Sequence, residues 1–186
     1  MEDRYRLPDL AAIDGKRSPA DVRLAWGTEG LAFSVLVIGK KRSIQCSAPH
    51  PEESEGVQIL IDTRDVHTVH RATRFCHRFA FLPLGGGTNK MEALAAWLPI
   101  HRAREHPRAI PPGAVRVACR IIRGGYELSG LIAAEALTGF DVEQHPRLGF
   151  NYVVLDRELG VQTFAVGPPM PAHEDPSLWT SLELVE

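Results

Sequence analysis

Apolar and polar residues alternate along most of this chain, and sustained helical periodicity is absent. Val22, Leu24 and Trp26 fall on one face at period two, which predicts a strand over Asp21–Trp26. Gly27–Gly30 (GTEG) reads as a turn, and Leu31–Ile38 (LAFSVLVI) as the returning strand of a hairpin. Val57–Asp62 (VQILID) splits into Val57, Ile59 and Ile61 on one face and Gln58, Leu60 and Asp62 on the other. Arg74–Leu82 (RFCHRFAFL) sets Phe75, His77, Phe79 and Phe81 against Cys76, Arg78, Ala80 and Leu82. Further strands are predicted over Ala114–Arg123, Tyr126–Ala133, Leu148–Asp156, Val161–Val166 and Leu182–Val185.

Between these runs, residues 1–20 read as an irregular N-terminal segment and 39–56 as a polar loop. Pro83–Glu92, with its three consecutive glycines, reads as a mobile loop. Ala93–Arg102 is ambiguous between a helix and an edge strand. Glu135–Leu137 reads as one helical turn, and Pro168–Pro176 as loop. The sum is an all-β fold: an antiparallel β-sandwich of about ten short strands with minimal helix, over one domain spanning 21–186.

Composition narrows the partners. The chain has 186 residues and a formal net charge of -2, which excludes nucleic-acid binding by bulk charge. No apolar run has the length of a membrane-spanning helix. Three cysteines without framework spacing and an N-terminus without an apolar leader point to a reducing, cytoplasmic setting.

Chemistry concentrates in Asp62–Phe79, which holds Asp62, Asp65, His67, His70, Cys76 and His77 among four arginines. One reading is a metal site from His67, His70 and either His77 or Cys76. Its spacing matches no familiar zinc pattern, and Cys76 and His77 point to opposite faces. A second is an anion or polyol pocket from Arg74, His77 and Arg78; a third makes His77 a satisfied core histidine. His101, Arg102, Arg104 and His106 form another basic group, suited to carboxylate, phosphate or vicinal hydroxyls. Trp97 is the best free aromatic for stacking, while Trp26 and Trp179 read as packing. Glu52, Glu53 and Glu55, with Asp62 and Asp65, are the acidic residues that could take calcium. Known catalytic motifs are absent, and neither Cys76 with a histidine nor Glu127 with Glu135 is positioned by any pattern, so the chain reads as a non-enzyme.

Four stretches taken in order carry a family resemblance: Leu24–Leu36, Pro51–Asp62, Gly124–Ala133, and Gly149–Asp156 with Asp175–Leu184. Together they resemble family 9 carbohydrate-binding modules, whose sandwich fold is shared with DOMON domains. The resemblance implies a non-catalytic saccharide-binding module, one that grips a terminal sugar between two tryptophans over polar sheet residues. Gln58, Arg78 and Asn151 match the polar sheet positions. The clamp tryptophans map to Glu52 and to about His173, neither of them an aromatic platform. The expected ligand site is therefore Gln58, Arg74, His77, Arg78, Trp97 and Asn151, for a polar or anionic saccharide or other polyol. No cofactor is expected beyond calcium, which family members often bind. A haem-bearing DOMON relative would instead draw on Met91 or Met170. The alternative to saccharide binding is a structural or protein-interaction sandwich that has lost its ligand.

Overall fold

A computed structural model describes residues 1–8, 15, 18–167 and 170–185, so parts of the predicted N-terminal segment and of the Pro168–Pro176 loop lie outside the described residues, as does residue 186. Among the described residues ten strands form two antiparallel sheets. β1 (Ala20–Gly27), β2 (Gly30–Ile38), β6 (Val115–Ile122) and β7 (Gly125–Ala133) make the first, in the order β1-β2-β7-β6. The second contains β3 (Gly56–Asp62), β4 (Cys76–Gly86), β5 (Glu92–Trp97), β8 (Arg147–Asp156), β9 (Gly160–Thr163) and β10 (Thr180–Glu183). Its order is β10-β8-β3-β4-β5, and β9 pairs with β8 alongside β10.

Alternation decides which side chains meet between the sheets. Val22, Phe33, Val35 and Leu128 of the first sheet pack on Ile59, Phe79, Phe81 and Tyr152 of the second, all buried. Phe33 and Phe81 close the centre at 4.5 Å between ring centroids. The space for the Phe33 ring exists because its cross-strand partner is Gly130, where a β-carbon would lie 2.5 Å from the ring. Gly124 sits at φ +73 in the tight β6–β7 turn, a conformation glycine adopts without steric cost.

The second sheet is apolar on its outer face as well. Leu60, Cys76, Ile100, Ala172 and Trp179 form a separate buried cluster there, under the loops after β5 and before β10. Trp179 is 1% exposed and donates its indole N–H to the Ala172 carbonyl at 2.6 Å. Trp26 packs on the inner core and donates to the Val185 carbonyl at 2.8 Å.

Two local readings change. Pro83–Glu92 is not one loop: β4 runs on to Gly86, and the hairpin to β5 turns over residues 87–91. Register shifts between Leu82 and Gly86, an irregularity that accommodates a proline with no N–H to donate. The Ala-rich Glu92–Trp97 is a strand, because pairing with β4 outweighs its helical propensity.

Candidate functional site

The register of the second sheet sets the site. Leu60 on β3 stands opposite Arg78 on β4 and Asn151 on β8, so these three form one row of the outer face. Gln58 stands two residues along β3, on the same face and diagonal to Arg78. The Oε1 of Gln58 accepts from Arg78 Nε at 3.0 Å and from Nη2 at 2.7 Å. Gln58 Nε2 in turn donates to the Glu52 carbonyl at 2.9 Å. Arg78 is half-buried, and among the described residues it has no ion pair; its Nη1 has no hydrogen-bond partner.

Burial lowers the Arg78 pKa, and the carboxylates of Glu52 and Glu174 oppose that shift. Glu52 lies in the 3-10 turn Pro51–Glu53, with His50 Nδ1 3.7 Å from its Oε1. Glu174 Oε1 is 3.3 Å from His101 Nδ1 and 3.6 Å from His173 Nε2. The positions that the resemblance assigned to clamp tryptophans thus hold polar residues, and Glu52 and the neighbour of His173 carry charge to Arg78. The result is a cationic, forked donor held in place by Gln58, under the longer-range charge of Glu52 and Glu174.

Asn151 shares the face and is fully buried. Its Oδ1 accepts from Ala165 N at 2.9 Å, and its Nδ2 has no partner. His77 faces the other way, being the strand neighbour of Arg78. It is fully buried, stacked on Phe79 at 6.0 Å, and its Nε2 accepts from Thr138 N at 3.0 Å. Burial pushes its pKa down to about 4. An anion pocket joining His77 to Arg78 is therefore excluded by the parity of one strand. Arg74 precedes β4 in a loop, where its guanidinium lies 5.1 Å from the Phe75 ring centre and 3.9 Å from Glu105. Trp97 ends β5 opposite Phe79, on the inner-face register, and is 41% exposed at the sheet edge. The structure brings Gln58 and Arg78 together, covers Asn151, and leaves Arg74, His77 and Trp97 apart from them.

The other clusters resolve into separate contacts. His67 meets Asp65 and Ser181, whereas His70 meets Asp175 and Ser177. In each group one imidazole nitrogen faces both the serine and the aspartate, and that serine also donates to the aspartate. This is a strap between loops, unlike a relay in which the two nitrogens serve different partners. Cys76 is 3% exposed and burial pushes its thiol up to about 12, so it carries no thiolate. Glu127 pairs with Arg120 at 2.6 Å on the opposite sheet, away from Glu135 in the turn Ala134–Ala136. Met91 and Met170 are exposed loop residues.

The acidic residues considered for calcium are used separately. Lys40 Nζ lies 3.1 Å from Glu55 Oε1 and 2.7 Å from Asp156 Oδ2, with all three side chains at most 3% exposed. Asp62 accepts from Arg64 N and Val66 N. Among the described residues no three His, Cys, Asp or Glu are arranged to hold a metal ion, and no helix is long and apolar enough to cross a membrane.

Comparison with known proteins places the fold. No family model matches the chain, and no curated protein matches it. Among solved structures, it is similar to a family 9 carbohydrate-binding module from Caldicellulosiruptor kristjanssonii in complex with glucose. The TM-score is 0.63 at 14% identity, over 100% of this chain and 88% of that one. A structure from the same organism, named as such a module in complex with cellotriose, gives a TM-score of 0.60 at 14% identity, over 90% and 76%. The fold is that of family 9 carbohydrate-binding modules.

Proposed function

We propose that this chain is a non-catalytic module that binds a polar saccharide on the outer face of the second sheet, at Gln58 and Arg78. The observation that carries the reading is the fixed Arg78 guanidinium, half-buried, which among the described residues has no ion pair and no partner at Nη1. A sugar hydroxyl both donates and accepts, so a forked donor beside the carboxylates of Glu52 and Glu174 suits vicinal hydroxyls. Pre-organisation by Gln58 lowers the ordering cost of each contact. Structural neighbours complexed with glucose and cellotriose support a saccharide as the ligand class. Without an aromatic clamp, binding is expected to be weak, about millimolar.

A thermal-shift screen against mono- and oligosaccharides, sugar phosphates, uronic acids and Ca²⁺ tests the reading. A ligand at ten times its Kd should raise the melting temperature by roughly 3–5 °C. That shift should vanish in Arg78→Met. A shift that survives Arg78→Met overturns this face as the site.

A protein-interaction sandwich is the second reading. It is favoured by the apolar cover over Leu60 and Asn151 and by the polar residues at the clamp positions. A flat screen with a cooperative melt would select it.

A further inference from the structure

The β3–β4 and β5–β6 connections, residues 63–75 and 98–114, are joined by hydrogen bonds. Arg104 N donates to the Ala72 carbonyl at 2.8 Å, and Arg71 Nε donates to the Arg102 carbonyl at 2.8 Å. The junction brings Arg71, Arg102 and Arg104 onto one exposed ridge, with Arg74 close by in sequence. Some exposed arginines elsewhere carry partners, as Arg120 has Glu127, Arg6 has Asp21 and Arg4 has Glu2, whereas Arg116, Arg123 and Arg147 are exposed on other elements and have no ion pair among the described residues. On the ridge only Arg74 approaches a carboxylate, that of Glu105. Among the described residues Arg71, Arg102 and Arg104 have no ion pair. What distinguishes the ridge is that two hydrogen-bonded loops gather several such cations, in a chain of net charge -2.

Arg102 adds an independent sign. It sits at φ 59, where glycine or asparagine would be less strained, and its side chain has no described contact that repays the strain.

We infer that this ridge binds the carboxylate groups of an acidic polysaccharide, a polymer containing uronic acids. Arginine forks match carboxylates bidentately, and a row of them matches a polymer that repeats its charge. His101, next to Arg102, contacts Glu174, whose charge reaches Arg78, so the ridge borders the saccharide face. Choosing a saccharide among polyanions rests on the function proposed above; the cationic ridge does not.

The test measures binding of the full chain to immobilised polygalacturonate, poly-glutamate and single-stranded DNA, at low and high salt. Polygalacturonate should be held most tightly and released as salt rises. The double variant Arg102→Gly/Arg104→Ala, in which glycine relieves the strained backbone, should bind it roughly tenfold more weakly and melt as the wild type does. Should that variant melt early, Arg71→Gln with Arg104→Gln supplies the same comparison without touching the strained turn. Undiminished polygalacturonate binding in these variants overturns the inference, as does no binding by the wild type. Equal or tighter binding of poly-glutamate or DNA overturns it too. Arg78→Met separates the two readings: loss of the neutral-sugar response with ridge-dependent polygalacturonate binding intact supports both. A flat neutral screen with ridge-dependent binding retained sinks only the sheet-face reading.

Discussion

The carbonyl oxygen of Gln58 accepts two N–H groups of Arg78, at 3.0 and 2.7 Å, across neighbouring strands. The amide thereby fixes the guanidinium plane and leaves Nη1 directed elsewhere. Gln58→Leu is expected to leave the fold intact and to weaken saccharide binding about tenfold through lost positioning. Gln58→Glu should keep the contact to Arg78 and add a charge pair, drawing the guanidinium off the ligand, while losing the donation to the Glu52 carbonyl. Calorimetric titration of the two variants with one responding sugar checks both.

His77 gives the chain an acid-sensitive step. Its folded pKa of about 4 lies below the ordinary value of 6.5, so between these pH values the unfolded chain binds a proton that the folded chain does not. Its contribution is fully present above pH 6.5 and is lost as pH falls to 4, by about 3 kcal/mol. Denaturant melts of the wild type and of His77→Gln across this window should converge at low pH. Parallel curves would show that His77 does not carry the step.

Lys40 should be the costliest single charge to remove. Lys40→Met would strand Glu55 and Asp156, buried and mutually repelling, at a loss of about 3–5 kcal/mol. Adding Glu55→Gln should recover part of the loss. Urea denaturation of the single and double variants measures both.

Trp179→Ala should cost about 3–5 kcal/mol, as for any large buried side chain, and open the outer cluster around Leu60. It should also speed thiol labelling of Cys76, which shares that cluster. Labelling unchanged from the wild type would place the cover of Cys76 elsewhere.

Strands were legible wherever one face is apolar: Val57, Ile59 and Ile61 announce their parity without further information. Leu60 breaks that pattern, and its reason lies far along the chain in Ala172 and Trp179, which no local period can show. The same parity that sets Cys76 against His77 also sets His77 against Arg78, so the core position of His77 was readable from its phenylalanine neighbours. Glu174 was not readable as a partner of Arg78, because its approach depends on how the loop before β10 returns over the sheet. Lys40 looked like one more residue of a polar loop; only the folded chain brings it between Glu55 and Asp156.

The covered outer face of the second sheet also imposes an order on synthesis. Gln58 and Arg78 leave the ribosome well before Glu174 and Trp179, and domains form as their segments emerge. Until residues 172–179 have emerged, a nascent chain carries Leu60 and Ile100 uncovered, a sticky surface on an otherwise paired sheet. The surroundings of Arg78 and the cover of Leu60 are thus completed by the same later segment, so a stall before its translation would leave a chain with an apolar face open to its neighbours.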